Sequence, residues 1–589
     1  MFRSTRRTAR RAAPLALLAL AGCGTGGAPA ASAPTATVVA RPPAAVVEPA
    51  PIPAGRAPAP GEYADAPDVR SYDIELALPP AGGAIAARAT LDLEAAQGAR
   101  EVALDLTGLA VTAATVDGRP VQVRQDAGKV HVPLPGAGGG RHRVELAYAG
   151  TPDDGLIQQA NVHGDPSVFA DNWPNRARFW FPSVDHPSDK ATIRFEVHAP
   201  SAWTVIANGA LTGEPAPTAE STLRALGYAG PAAHRTWVWA SDVEIPAYTM
   251  VVGAAVLAER SVGTAACGNA PASPRPDGCI EVGYLVFPAD TARAAPSFRR
   301  AARMVDYFTD RFGPFPYEKL MNVQSSTRFG GMENASAIFY SENAIARGAN
   351  IEGTVSHEIA HQWFGDSATE AEWSHLWLSE GFATYFGDQF FEDADGVEAF
   401  RALMEENRRS YIGSPVVGQP ILSGSEDLFA LLNANNYPKG GWVLHMLRGL
   451  IGDEAFFAGI RDYYAAYEGG NALSEDFQRV MEAASGQDLD GFFDQWLRQP
   501  GYPIFEVEWT WDPSAGAVRY RIAQVQDPSW PAFRMPIELE ARTERGPLRT
   551  RVQLDGRVHE GTFSTRSAPH EVVLDPDGWV LKDVRPASR

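Results

Sequence analysis

Cysteine is scarce in this chain, with three among 589 residues. A disulfide-built scaffold is therefore excluded, and hydrophobic cores must hold the fold. Positive charge is also short: 51 Lys and Arg stand against 71 Asp and Glu, a net charge of −20. Nucleic-acid binding needs concentrated positive charge, so no nucleic-acid partner is expected. The apolar run at residues 14–21 is far shorter than the roughly 20 residues of a spanning helix. No internal repeat is visible, which excludes solenoids. What remains is an ordinary globular balance, 45% hydrophobic and 21% charged, in a chain too long for one core. Two to four domains are expected.

The first 23 residues read as an export leader. Arg3, Arg6, Arg7, Arg10 and Arg11 precede the short apolar run, and Leu20-Ala21-Gly22-Cys23 follows it. The pattern is that of a signal peptide over residues 1–22. The last four residues resemble the bacterial lipoprotein signal, which implies a lipid on Cys23 and a membrane as partner. The protein would then be exported and held on the periplasmic side or the cell surface. Residues 23–64 are mostly Ala, Pro, Gly, Thr and Val, a composition that cannot bury a core and reads as a tether. In an oxidising compartment Cys267 and Cys279, which bracket a Gly/Pro-rich stretch, are expected to form a disulfide.

From 65 to 255 the chain alternates with period two between Gly, Pro and Asp turns, as in SYDIELALP, HRVELAYAG and ATIRFEVHAP, and predicts an antiparallel β domain. From about 290 the period changes. FRRAARMVDYFTDRFG predicts an amphipathic helix ending at Gly313, with further helices over 352–364, 378–391, 395–410, 438–450, 453–465 and 474–485. Strand patterning returns after Gly501. The expected order is a β domain over 65–255, a mainly helical domain over 256–500 and a small β domain over 501–589, a multidomain α+β chain.

The chemistry concentrates in Val355-Ser356-His357-Glu358-Ile359-Ala360-His361-Gln362-Trp363. His357 and His361 share one helix face with Cβ atoms roughly 5–6 Å apart, close enough for both imidazoles to reach one zinc ion at about 2.0–2.1 Å. Val355, Ile359 and Trp363 form a separate apolar stripe. Glu358 lies about 100° around the helix from His357, placed to act as general base on a metal-activated water rather than as a ligand. A catalytic zinc needs a third protein ligand. Glu380, eighteen residues after His361 among Leu376, Trp377, Leu378, Phe382, Tyr385 and Phe386, supplies it, because a carboxylate in apolar surroundings needs a cation. One Zn²⁺ per chain is expected.

With these residues in place, the sequence resembles the aminopeptidase N family of gluzincin metallopeptidases. Gly330-Gly331-Met332-Glu333-Asn334 is similar to the family's Gly-x-Met-Glu-Asn motif. The resemblance implies that Glu333 binds the free α-amine of a peptide substrate while the motif backbone lies along it like an added strand. Asn436-Tyr437-Pro438-Lys439-Gly440 is similar to its Tyr-x-Lys-Gly motif, which implies that the Tyr437 hydroxyl stabilises the oxyanion. Arg178-Phe-Trp-Phe-Pro182 with Asp185, Lys190 and Ala191, and Trp496 through Pro503, look like conserved segments of the same family. The implied fold is an N-terminal β-saddle domain, a thermolysin-like catalytic domain and a C-terminal β-sandwich-like domain.

One stretch departs from the pattern. Where relatives place a second amine-binding Glu or Gln, this chain reads Phe169-Ala-Asp-Asn-Trp-Pro-Asn-Arg176, which sets Trp173 or Asp171 at the position; Asp171 is the candidate second anchor. The expected function is removal of N-terminal residues from peptides with a free N-terminus, with Glu358 and Tyr437 as catalytic residues. An endopeptidase, another zinc hydrolase, or a lipid-anchored binding protein on the same scaffold are the alternatives.

Overall fold

The computed structural model describes residues 63–136, 139–231 and 233–586. The expected leader, Cys23 and nearly all of the expected tether lie outside the described residues. The N-terminal part is built on a large sheet whose central path runs through β1 (Asp68–Ala77), β2 (Ile85–Ala95), β3 (Gly140–Gly150), β4 (Lys190–Pro200) and β5 (His234–Pro246), in the spatial order β5-β4-β1-β2-β3. The alternation in β1 buries Val69, Tyr72, Ile74 and Leu76. Pairing is antiparallel throughout this path except between β1 and β4, which run parallel with Tyr72 opposite Ile193. Period-two patterning cannot reveal that exception, because alternation looks the same in either direction.

The central part begins with a five-stranded sheet of β6 (Ala258–Ala265), β7 (Ile280–Val286), β8 (Lys319–Ser325), β9 (Gly331–Met332) and β10 (Ala337–Ser341), ordered β6-β7-β8-β10-β9. The two-residue β9 is thus an edge strand, its Gly331 and Met332 paired with Tyr340 and Phe339. Between β6 and β7, Cys267 and Cys279 are joined in a disulfide. Helix α1 (Ala301–Phe312) stops at Gly313, whose φ of 137° lies in the region that favours glycine. Then follow α2 (Glu352–His361), α3 (Trp377–Asp395), α4 (Val397–Ile412), α5 (Gly440–Ile451), α6 (Asp453–Tyr467) and α7 (Ser474–Ser485). These match the expected helices to within a few residues, except that Asn435–Lys439 form a π-helical turn ahead of α5. Beyond Gly501 the strands form two sheets, one of four and one of three among the described residues.

The two β-rich and helical parts are tied by a buried cation. Lys190, at the start of β4, donates its ammonium to the carbonyls of Asp366 (3.2 Å), Ser367 (2.7 Å) and Gly470 (2.8 Å) in the helical part. Nearby, Arg178 pairs with Asp185 at 3.0 Å. The Lys190 end of the Arg178–Ala191 segment is therefore a strap that fixes one part on the other, while the Arg178–Asp185 pair braces the segment itself.

Helix α3 is the centre of the helical part. Phe382, Phe386 and Phe390 recur every four residues on its buried side, and Phe382 and Phe386 pack against Phe364. Its other contacts are made by missing side chains. A Cβ at Gly381 would lie 2.9 Å from the backbone of Gly440 at the start of α5, and one at Gly387 would lie 3.0 Å from the backbone of His357 in α2. The glycines let α3 approach both helices at backbone contact. Gly381→Ala is expected to destabilise the protein by about 1–3 kcal/mol, the cost of overpacking a close crossing. Gly353→Ala, in the first turn of α2, adds its methyl to open space and is expected to leave stability unchanged or slightly raised. Differential scanning calorimetry of the two variants checks the contrast.

Candidate metal centre

Helix α2 presents His357 and His361 toward α3, and α3 presents Glu380 back. His357 Nε2 lies 3.1 Å from His361 Nε2, and both lie 3.2 Å from Glu380 Oε2. Three ligand atoms thus form a nearly equilateral triangle. A tetrahedral zinc site with bonds near 2.0–2.1 Å has ligand–ligand edges of about 3.3 Å, so the triangle matches one face of such a site. The tautomer also fits. His361 Nδ1 is 3.0 Å from the Phe364 carbonyl, which can only accept, so Nδ1 carries a proton and Nε2 is the ring nitrogen turned to the triangle, the one that would give its lone pair to a metal. Ser379 Oγ, 3.1 Å away, holds the same nitrogen.

Two glycines make room for this arrangement. Gly365, at φ 121°, would put a Cβ 2.4 Å from Ser379 Oγ and 2.9 Å from His361 Nδ1. Gly331, on the edge strand, would put one 2.1 Å from Glu358 Oε1. The second contact means that β9 runs directly against the Glu358 carboxylate. Gln362 locks the strand's loop to the helix: its amide donates to the Glu333 carbonyl and to Asp366 Oδ2, each at 2.8 Å, and its oxygen accepts from Ser336 N at 2.8 Å.

The site opens into a cavity of about 630 Å³ lined by His357, Glu358, His361, Glu380, Glu333, Tyr437, Gly330, Gly331 and Met332. Ligand atoms of Glu333, Glu358 and His361 all lie within 4.8 Å of one another. Tyr437 donates its hydroxyl to Glu380 Oε1 at 2.6 Å, and its ring stacks on His357 at 5.9 Å. The Gly381–Gly440 crossing sets that distance, because Tyr437 stands in the π-helical turn only three residues before Gly440. Asn334 is fully buried, its Nδ2 3.4 Å from the Met332 carbonyl, and shapes the loop rather than the cavity.

The electrostatics of the cavity suit a cation. Among the described residues lining the cavity there are five carboxylates, Glu333, Glu358, Glu380, Asp388 and Glu406, and no Lys or Arg. Burial pushes the Glu358 carboxyl well above its usual range; His361 opposes and Glu333 and Glu380 add. Burial likewise raises Glu333 to about 7. Burial also disfavours charge on Glu380, but His361 and His357 hold its carboxyl at about 2. A divalent cation at the triangle is the counter-charge this cavity calls for.

Asp171 does not join the site. It is fully buried and held by Arg176 (3.0 Å), Arg328 (3.1 Å) and the Thr327 hydroxyl (2.9 Å), and it does not line the cavity. Both guanidiniums also pair with Asp154 (2.8 and 2.7 Å), so Asp171 is engaged in a four-membered ion-pair cluster beside the cavity rather than in it. Trp173 lines the cavity in its place, edge-on to Phe329 at 6.0 Å. Ser379, Gly365, Gly381 and Gly387 carry no mark in the sequence; Gly331 and Gly440 stand there as members of the two family-like motifs, and Gln362 as the residue directly after the second His.

A model of the peptidase family M1 domain matches residues 297–496, and one of the M1 N-terminal domain matches residues 69–221. Aminopeptidase N of Streptomyces lividans is 27% identical over 493 residues, 79% of this chain and 54% of that protein. Probable aminopeptidase 2 of Sulfurisphaera tokodaii is 29% identical over 248 residues, 39% of this chain and 32% of the relative. The chain thus spans about half or less of these relatives' length. A solved M1 zinc metallopeptidase from Deinococcus radiodurans is 26% identical with a TM-score of 0.63, covering 73% of this chain and 94% of that one.

Replacing His357 or Glu380 by Ala is expected to lower bound zinc from about one per chain to below about a tenth, because two ligands do not hold the ion. Ser379→Ala should weaken zinc binding about tenfold by freeing the His361 ring. Metal content by mass spectrometry after dialysis, and competition with a fluorescent chelator, measure both.

Proposed function

The chain belongs to the aminopeptidase N-like M1 family of peptidases, and we propose that it is a zinc metalloaminopeptidase that hydrolyses the first peptide bond of peptides with a free N-terminus. The observation that carries this reading is Glu333, a carboxylate held beside the ligand triangle in a cavity with no Lys or Arg among its described lining residues. A carboxylate there binds an ammonium group and fixes its distance from the reacting carbonyl. That is the measuring device of an exopeptidase.

His357, His361 and Glu380 would hold the zinc ion, which when bound polarises a carbonyl and makes water more acidic. The remaining work falls to the chain's own groups. Glu333 receives the substrate amine. The free edge of β9 pairs with the substrate backbone as an added strand. Glu358 takes a proton from the attacking water and passes it to the leaving amine, and its raised affinity for protons suits that transfer. Burial and Glu380 push the Tyr437 phenol well above its usual range, so it stays a neutral donor. Turned from Glu380 to the carbonyl oxygen, it stabilises the charge that develops there.

We read the wall of Trp173, Phe329, Met332 and Leu432 as the pocket for the first residue's side chain, fitted to apolar and aromatic residues. The same reading places the domain limits near 255 and 500, supported by strand Val252–Ala255 joining the N-terminal sheets while Ala258–Ala265 joins the central one. It takes the C-terminal pair of sheets as β-sandwich-like. It also keeps the chain exported and tethered to a membrane through a lipid on Cys23, supported by the leader's composition.

Glu358→Gln is expected to cut kcat/KM at least about a thousandfold while zinc stays bound. Glu333→Ala should cost far more on free-amine aminoacyl amides than on their N-acetylated twins. An equal loss on both would remove its anchoring role. Cys23→Ser, expressed in a bacterial host, should move the protein from the membrane fraction to the soluble fraction, read by immunoblot after fractionation.

A further inference from the structure

The cavity has a direction that the arrangement of helices reveals. Glu333 sits at the His361 end of α2, since their ligand atoms are within 4.8 Å. Thr354, which also lines the cavity, is seven residues earlier, about 10 Å along the helix axis. On the same side as Thr354, the backbone of α3 at Gly387 touches the backbone of His357. The cavity therefore runs along α2, with Glu333 and the aromatic wall at one end and the ligand triangle in the middle. Its far end is lined by Gly353, Thr354, Asp388, Leu403, Glu406 and Asn407.

This end must take the part of the substrate beyond the scissile bond. If the amine is at Glu333 and the first carbonyl is at the triangle, the second residue has only this direction in which to lie. Its walls are acidic. Asp388, half-buried on α3, accepts a hydrogen bond from Asn407 at 2.7 Å on one oxygen. Glu406, exposed on α4, stands at the mouth, near enough to add to the burial that already raises Asp388 to about 7. No Lys or Arg among the described lining residues offsets either one. Two neighbouring carboxylates in the path of the leaving peptide repel each other until a cation enters.

Resting on the aminopeptidase reading above, we propose that Asp388 and Glu406 select peptides with Lys or Arg at the second position, binding the basic side chain on the leaving-group side of the metal. Asp388 takes the charged head at depth, and Glu406 draws it in at the mouth. Leu403 and Thr354 flank the methylene stem, which long basic side chains bury readily. Acidic second residues are excluded by the same two charges.

The test compares kcat/KM for the tripeptides Leu-Lys-Ala, Leu-Leu-Ala and Leu-Glu-Ala with the zinc-loaded full-length protein, read as free leucine by mass spectrometry. The expected order is Lys over Leu over Glu, with about tenfold between neighbours for a charge pair of this exposure. Asp388→Asn combined with Glu406→Gln should bring the Lys/Leu ratio close to one. Glu406→Lys, which offsets Asp388, should bring the Lys/Leu ratio close to one as well. Each ratio is taken within one variant, so partial loss of folded protein cancels. Equal rates on the three peptides, or a Lys/Leu ratio unchanged in the double variant, overturn the selection while leaving the aminopeptidase in place. Absence of leucine release from every peptide, together with cleavage of N-acetylated substrates, overturns the aminopeptidase reading and this inference with it.

Discussion

The site depends on how closely α3 can approach two other helices. Its third ligand, Glu380, must reach the histidines of α2 on one side and the hydroxyl of Tyr437 on the other. Helices usually pack 8–10 Å apart because side chains keep them there. Here Gly387 meets the His357 backbone and Gly381 meets Gly440, so side-chain spacing is removed at the two crossings that set the triangle. The aromatic residues on the rest of α3 then hold it in place: Phe382 and Phe386 lock it to Phe364 and Phe312. Rigidity at the core and close approach at the glycines are two halves of one device. Ligand atoms 3.1–3.2 Å apart tolerate no slack in it.

The same device concentrates charge. Bringing Glu380, Glu358 and Glu333 within reach of two imidazoles creates a buried acidic site that no Lys or Arg among the described lining residues offsets. Such a cluster is costly in the absence of a metal, and the pressure appears in the raised carboxyls of Glu358 and Glu333. Binding a divalent cation relieves it. The stored repulsion is thus a source of metal affinity, and on the proposed reading what remains after a metal binds is what Glu333 would offer to an incoming ammonium. In this sense the metal and the substrate amine answer two portions of one charge surplus.

Much of this was legible in the sequence, and the limits have a physical form. Periodicity found the helices because a buried face repeats every three to four residues. The i, i+4 histidines are a local feature, so their shared face followed from geometry alone. Glu380 was legible because a carboxylate in an apolar run needs a cation wherever it is. Contacts between distant elements left weaker traces. The parallel β1–β4 pairing, the Lys190 strap and the Gln362 lock on Glu333 each join residues dozens to hundreds of positions apart, and no local pattern encodes them. Asp171 illustrates the converse. Its sequence position next to the cavity wall invited a functional role, but its partners Arg176 and Arg328 come from two different segments, and only their convergence shows that it is engaged in an ion-pair cluster beside the cavity.

The glycines were the least legible class, and they govern the most. A glycine in a helical run reads as a mild weakness, costing up to about 1 kcal/mol against alanine. Gly381 and Gly387 accept that local cost so that a neighbouring backbone can occupy the place of their missing side chains. Gly331 does the same on the edge strand, where any larger residue would displace the Glu358 carboxylate that the strand must pass. Local propensity and tertiary requirement therefore disagree at the positions that build the site. A substitution that improves the helix by the first measure would open the triangle by the second, which places the specification of the active geometry in what the chain omits as much as in the histidines and carboxylates it displays.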